Sequence, residues 1–183
     1  YQINDRILFD NISINIEPGM INALLIPNSE GKTTLFNLLQ KKNQLGILYQ
    51  PKKLLSKTFF INNNLVTKTT INTYLKNNID TNKHSLIKGY LHKYQLLFKS
   101  LNKNINNLSL MEIIKMQLMI ADINKCKIIV FDNNLLTLNN NQKNIIWRYL
   151  IMPKQTEGMT IIYLSHNPSE VLMADYLTII SHA

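Results

Sequence analysis

The stretch that decides the fold is INALLI-PNSEGKTT-LFNLL, which covers residues 21–39. Its first six residues form an apolar run that predicts a short buried strand, and its last five predict the start of a helix. Between them, Gly31, Lys32 and Thr33 lie where the strand leads through a loop into the helix. Such a junction can bind phosphate, because its backbone N–H groups and the helix dipole both favour an anion. The pattern is incomplete, since Ile26 stands where it requires glycine.

Two later strands decide between a phosphate site and an ordinary solvated helix start, in which Glu30 would be favoured by the helix dipole. Residues 127–132 (KIIVFD) end an apolar strand on Asp132, and residues 159–166 (MTIIYLSH) end another on Ser165 and His166. Parallel α/β sheets gather their ligand-contacting groups at the carboxyl ends of the strands. The order of the three segments therefore predicts a nucleotide-binding α/β domain.

These segments, and others around them, resemble the ATP-binding-cassette (ABC) ATPase family nearly from end to end. Residues 5–19 resemble the family's opening hairpin, and residues 108–112 (LSLME) stand where the family has its Leu-Ser-Gly-Gly-Gln signature. Asp132 and Asn133 match the Asp-Glu pair of the second nucleotide motif, and His166 matches the switch histidine. The resemblance implies an α/β fold of the ABC type of P-loop NTPase: a mainly parallel sheet with N-terminal antiparallel hairpin strands and a helical subdomain.

The chain of 183 residues fits a single ABC ATPase domain with a proper core. We expect a nucleotide-binding core of residues 1–70 and 109–183 and a helical subdomain of about residues 71–108. The resemblance implies that this subdomain docks on an integral membrane subunit. No apolar run in the sequence approaches the length needed to span a bilayer, so membrane association is expected to come through that partner.

The resemblance also implies a set of site residues for ATP and Mg²⁺. The loop and the helix start would bind the nucleotide, with Thr33 and Asp132 holding the metal and Asn133 and His166 in the catalytic positions. Asn62 aligns near the family's partner-sensing glutamine, and Ser109 is the retained residue of the signature that caps the nucleotide of a partner subunit. The nucleotide-binding set is Asn28, Ser29, Glu30, Gly31, Lys32, Thr33, Thr34, Asn62 and Ser109.

The departures from the family pattern predict slow hydrolysis. A glutamate normally follows the metal-binding aspartate, and Asn133 in its place can orient water but cannot accept its proton. Leu110 and Met111 replace signature glycines that let the backbone approach a phosphate closely. Glu30 adds a negative charge beside the phosphate site. We therefore expect a slow ATPase, and the runner-up is a pseudo-ATPase that acts as a structural subunit.

The net charge of +9 raises the possibility of a nucleic-acid partner. The lysines are scattered, however, and no basic stripe interleaved with aromatic residues is present, so no specific nucleic acid is expected. The abundance of Asn, Lys and Ile indicates a genome rich in A and T instead. The single cysteine, Cys126, excludes an internal disulfide and a thiolate metal cluster.

Within the ABC family, the segment His166-Asn167-Pro168 and residues 6–9 (RILF) resemble the ATPase subunit of the haem exporter of cytochrome c maturation. The ATPase of iron–sulfur cluster assembly, which is soluble, remains a further alternative. The resemblance implies a head-to-tail dimer with itself or with another ABC ATPase. It also implies a peripheral location on the inner side of a membrane, facing either the mitochondrial matrix or a bacterial cytoplasm.

Overall fold

The structure is a computed structural model that describes residues 2–3, 6–7, 9, 12–26, 31–40, 57–62, 65, 67–97, 101–132 and 138–180, with only the backbone for residues 2–3, 6–7 and 152–157. The described strands are β1 (Gln2–Ile3), β2 (Arg6–Ile7), β3 (Ile21–Leu25), β4 (Thr58–Ile61), β5 (Ile128–Asp132), β6 (Thr160–Ser165) and β7 (Tyr176–Ile179). The described α-helices are α1 (Lys32–Leu39), α2 (Ile71–Asn78), α3 (Ile87–Lys93), α4 (Leu110–Ile123) and α5 (Asn140–Glu157). Short 3₁₀ helices cover Thr81–Leu86, Ile105–Asn107 and Pro168–Met173.

The chain folds into two compact units. The first contains Tyr1–Phe60, Lys127–Asn134 and Gly158–Ala183, and the second contains Ile61–Cys126 and Leu135–Glu157. The predicted helical subdomain, residues 71–108, falls entirely within the second unit, which also contains α4 and α5. The functional division of the domain remains a prediction.

A mainly parallel sheet organises the first unit, as the sequence predicted. Its strand order is β4-β5-β6-β3-β7, and β3 pairs in parallel with both β6 and β7, while β5 pairs in parallel with β6. A separate antiparallel hairpin joins β1 to β2 and pairs Gln2 with Ile7. The sequence indicated the hairpin within residues 5–19, but its first strand lies earlier, at residues 2–3. Residues 12–17 of the indicated segment form no strand.

The apolar pattern of the strands explains the core of this unit. β3 is buried along its whole length, as expected for a parallel strand covered on both faces. Leu35, Phe36 and Leu38 of α1 pack into a cluster with residues of β3, β5 and β6. Phe36 also meets Phe60 edge to face, with ring centroids 5.8 Å apart. This packing fixes the start of α1 relative to the strand ends.

The second unit is mainly helical and is held by a buried polar cluster. Asp122 of α4 is 5% exposed and accepts hydrogen bonds from the Tyr94 hydroxyl at 2.9 Å and from Lys93 Nζ at 2.7 Å. The ring of Tyr94 stacks on Tyr149 of α5, with centroids 5.0 Å apart. Burial raises the pKa of the Tyr94 phenol, and the Asp122 carboxylate raises it further. Tyr94 therefore stays a hydrogen-bond donor and ties α3 to α4 and α5.

Candidate nucleotide site

The candidate site lies at the carboxyl edge of the parallel sheet. Asp132 ends β5, Ser165 ends β6, and β3 leads towards Gly31 at the start of α1. The strands are neighbours in the order β5-β6-β3, and their register pairs Asp132 with Leu164 and Leu25 with Ser165. Parallel pairing in register places these ends at one edge, which is where open α/β sheets bind ligands. The structure therefore brings together the three segments that the sequence singled out.

An ion pair between Lys32 and Asp132 joins two of these segments. The Lys32 Nζ lies 2.6 Å from Asp132 Oδ1, and the side chains are 7% and 19% exposed. A lysine buried to this degree is rare unless it has an opposite charge beside it. The pair holds the Lys32 ammonium group at the sheet edge, next to the beginning of α1. A phosphate group bound there would compete with Asp132 for the ammonium.

The beginning of α1 has the properties of an anion site. The helix begins after Gly31, whose backbone is αR, and no side chain among the described residues caps the helix. The first N–H groups of a helix have no intrahelical acceptor, so an uncapped N-terminus can donate to an anion. Thr33 is exposed there and Thr34 is half-buried. A Cβ at residue 31 would lie 2.8 Å from the Phe9 ring, which explains why glycine occupies this position.

A polar network fixes the turn that carries His166. The Ser165 hydroxyl is fully buried, donates to Glu170 Oε2 at 2.7 Å and accepts from the Asn167 N–H at 3.1 Å. Tyr163 donates its hydroxyl to the Glu170 carbonyl at 3.1 Å, and burial raises the pKa of this phenol, with a further contribution from the Glu170 carboxylate. Among the described residues, nothing hydrogen-bonds to the buried Nδ1 of His166. Sequence reasoning found His166 but missed the role of Glu170, which no local motif indicates.

In the second unit, a buried glutamine holds the residue aligned with the family's sensing glutamine. Asn62 donates its backbone N–H to Gln117 Oε1 at 2.8 Å, and Gln117 Nε2 donates to the Asn62 carbonyl at 3.0 Å. Gln117 is 1% exposed and lies in the middle of α4. This role of Gln117 was not predicted, and the available signal was a polar residue within the apolar helix sequence (residues 113–123).

Ser109 forms the N-cap of α4. Its hydroxyl donates to Glu112 Oε2 at 2.7 Å and accepts from the Glu112 N–H at 3.3 Å, and Glu112 also accepts from the Ser109 N–H. This is a capping box, in which side chains satisfy the otherwise unpaired donors of the first turn. The next two positions, Leu110 and Met111, are ordinary helical residues. The serine hydroxyl is therefore occupied by Glu112 in this structure.

Four of the predicted site residues, Asn28, Ser29, Glu30 and Asn133, lie outside the described residues. Within the described part of the chain, no group of three or more His, Cys, Asp or Glu side chains could hold a metal. The predicted Mg²⁺ ligands are of another kind, the Thr33 hydroxyl and the Asp132 carboxylate, which are the oxygen donors that Mg²⁺ prefers when a substrate phosphate completes its coordination. The residues present fit such an ion. No helix among the described residues is long and apolar enough to span a membrane.

Comparisons with known proteins relate the chain to ATP-binding proteins of transporters. The chain is 29% identical over 173 residues to the zinc import ATP-binding protein ZnuC of Wigglesworthia glossinidia brevipalpis, covering 87% of this chain and 70% of that protein. It is 25% identical to the molybdate import ATP-binding protein MolC of Haemophilus influenzae, covering 94% of this chain and 72% of the relative. No family model matches the chain.

Solved structures show the same fold at lower identity. A metal-chelate type ABC transporter in an inward-facing conformation superimposes with a TM-score of 0.75 at 19% identity, over 98% of this chain and 75% of that chain. A dimeric ATP-binding cassette with ADP and Pi gives 0.73 at 18% identity, over 99% and 90%.

The fold and the strand-end site define a P-loop type of α/β nucleotide-binding domain. The relatives named above are ATP-binding proteins of ABC transporters, and the similarity to them covers 87–94% of this chain and 70–72% of theirs. The chain is therefore similar in sequence to transporter ATP-binding proteins and shares the fold of ABC ATP-binding cassettes.

Proposed function

We propose that this chain binds Mg-ATP at the carboxyl edge of its sheet and serves as the ATP-binding subunit of an ABC transporter. The observation that carries the proposal is the Lys32–Asp132 pair, at 2.6 Å, beside an uncapped helix N-terminus. A buried ammonium group, the N–H groups of a first helical turn and a strand-end carboxylate are the components needed to hold a triphosphate and its metal. The similarity to ATP-binding proteins of zinc and molybdate import supports the same function.

Each residue of the site has a proposed role. Lys32 binds the outer phosphates. Backbone N–H groups that donate to the nucleotide come from the loop (Asn28, Ser29 and Glu30) and from the helix start (Gly31, Thr33 and Thr34). Thr33 and Asp132 hold Mg²⁺, which when bound offsets the charge on the phosphates. His166 contacts the terminal phosphate, and Asn133 orients water without removing its proton.

Calorimetry of Mg-ATP binding tests the proposal. We expect Lys32→Ala to weaken binding at least ~100-fold, because charge-assisted hydrogen bonds to a buried phosphate contribute roughly 1.5–3 kcal/mol each. The matched control is Lys76→Ala, which removes an exposed lysine from α2 in the other unit and should leave the affinity unchanged. Absence of binding in the wild type, or equal affinities for the two variants, contradicts the proposal.

For the partner, we propose an integral membrane subunit that contacts the helical segment of residues 71–108. Zinc import recurs among the names of the relatives, so a divalent metal is the first cargo to test. Haem export for cytochrome c biogenesis, with a mitochondrial location, is the second. Reconstitution with candidate membrane subunits, followed by transport assays with each cargo, separates the two. A soluble role in iron–sulfur cluster assembly predicts no stable membrane partner.

The alternative function is a catalytically impaired structural subunit. It is favoured by Asn133 and by the engagement of the Ser109 hydroxyl with Glu112, which keeps it from a partner's nucleotide in this structure. Phosphate release from the complex decides between the two functions. Turnover no faster than that of Lys32→Ala would establish the structural role.

A further inference from the structure

The ion pair between Lys32 and Asp132 engages two charged groups to which the proposed function gives separate ligands. The Lys32 Nζ lies 2.6 Å from Asp132 Oδ1, and the two side chains are mostly buried. In the proposed function, Lys32 binds the outer phosphates and Asp132 holds Mg²⁺. In this structure each of these groups has the other as its partner. A ligand that binds here therefore has to compete with an existing contact.

The packing of the first unit holds the backbone at both ends of the pair. Lys32 begins α1, and Leu35 and Phe36 of that helix lie in the core cluster of the unit. Asp132 ends β5, and Val130 of that strand belongs to the same cluster. The helix start and the strand end are thus anchored in one core. A ligand has to draw the two side chains apart at this place, because neither backbone segment is free to move away.

Separating two mostly buried opposite charges is costly unless both gain a new partner at once. A buried charge that loses its counter-ion keeps the penalty of having left water and loses the attraction that offset it. A phosphate bound to Lys32 alone would leave the Asp132 carboxylate unpaired beside a second anion. A divalent cation bound to Asp132 alone would leave the Lys32 ammonium beside a second positive charge. The phosphate and the cation therefore favour each other's binding.

We propose that Asp132 is an internal competitor of the nucleotide for Lys32, so that nucleotide binds well only together with a divalent cation. When both ligands are present, Asp132 turns to the cation and Lys32 to the phosphates, and neither buried charge is left unpaired. The inference rests on the proposed function and adds regulation to it, because the contact discriminates against nucleotide without Mg²⁺. By linkage, nucleotide strengthens the binding of the cation by the same factor.

Calorimetry of ATP binding to the full chain, in excess Mg²⁺ and in EDTA, tests the proposal. We expect removal of Mg²⁺ to weaken ATP binding to the wild type roughly 100-fold, within the usual range of coupling between two ligands. Asp132→Asn removes the competing charge and should bind Mg²⁺-free ATP at least ~10-fold more tightly than the wild type does. In excess Mg²⁺ the same variant should bind ATP more weakly than the wild type, because it lacks a carboxylate ligand for the metal.

Asp80→Asn is the matched control, because Asp80 also pairs with a lysine, Lys83, but is exposed and lies in the other unit. It should leave the affinity for ATP unchanged with and without Mg²⁺. Ionic strength separates competition for Lys32 from general repulsion between Asp132 and the phosphates. The gain with Asp132→Asn should persist from about 0.05 M to about 0.5 M NaCl, because salt screens a mostly buried pair little and exposed charges strongly.

Thermal unfolding checks that the variants fold, and Asp132→Ser, which leaves room for water beside Lys32, serves if Asp132→Asn does not. A wild type that does not bind Mg-ATP would contradict the proposed function itself, and the inference with it. When the wild type does bind Mg-ATP, two results would overturn the inference alone. One is Mg²⁺-free binding that a folded Asp132 variant does not strengthen, and the other is a gain that disappears at the higher salt concentration.

Discussion

Gly31 lies against the ring of Phe9, and this contact leads to a stability prediction. A Cβ at residue 31 would be 2.8 Å from Phe9 Cζ, in a core where the ring is 6% exposed. We expect Gly31→Ala to lower the free energy of unfolding by about 1–3 kcal/mol through overpacking. Chemical denaturation measures the change.

The matched control for this prediction is Gly89→Ala in α3, where an added Cβ meets nothing within 4 Å. That substitution should stabilise the chain by up to about 1 kcal/mol, because alanine is the better helix former. In addition, Phe9→Leu should recover part of the stability lost by Gly31→Ala. Equal effects of the two glycine substitutions would show that the Phe9 contact does not limit residue 31.

A second prediction at the residue scale concerns the rate of hydrolysis. Asn133→Glu restores a group that can accept a proton from the attacking water, and general-base assistance contributes roughly 10²–10⁴-fold. We expect a clear increase in steady-state phosphate release from the reconstituted complex, with Asn133→Gln as the isosteric control without a charge. A different result would come from a site whose closure limits turnover. In that case Asn133→Glu does not raise the rate of phosphate release, whereas Leu110→Gly and Met111→Gly together do, and the missing general base is not the cause of slow hydrolysis.

At the scale of elements, the sequence predicted the strands and helices whose own residues decide them. The apolar runs that became β3, β5 and β6 were visible because burial on both faces imposes continuous apolar residues. The helix expected over residues 35–39 begins three residues earlier, at Lys32. The sequence placed Lys32 and Asp132 at one edge of the sheet, but it did not predict the ion pair between them. Gln117 and Glu170 could not be predicted, because their partners depend on the tertiary fold and not on a local pattern.

The two hydrogen bonds between the Gln117 side chain and the Asn62 backbone lead to a prediction at this scale. Gln117→Met keeps the side-chain volume but removes both hydrogen bonds to the Asn62 backbone. We expect a loss of about 2 kcal/mol, because one donor and one acceptor lose their partners, together with faster hydrogen exchange at the Asn62 amide. The Asn124 amide, bonded to the Ile120 carbonyl at the end of α4, is the internal reference. Unchanged hydrogen exchange at the Asn62 amide would show that the Gln117 side chain does not protect this segment.

At the scale of the whole molecule, the residues that replace the family signature at the start of α4 lead to a prediction about the assembly state. The family pairs two cassettes around nucleotide, and we infer that Leu110 and Met111 oppose that closure by crowding the backbone. We expect the wild type with Mg-ATP to dimerise weakly in sedimentation experiments, whereas Leu110→Gly with Met111→Gly should strengthen the dimer. Leu97→Gly, at an exposed position, controls for the loss of a surface leucine. A stable wild-type dimer that requires ATP would contradict the inference.

The buried position of the site residues also determines how this sequence can change during evolution. Gly31 is fixed by the Phe9 ring, and Lys32 and Asp132 neutralise each other in a mostly dry environment, so replacing any of them costs folding stability even in a lineage that no longer uses ATP. Thr33 is exposed, and selection for stability does not retain it. Among related genes, retention of Thr33 therefore indicates that nucleotide is still used. Gly31, Lys32 and Asp132 can be retained for folding stability alone after nucleotide binding is lost.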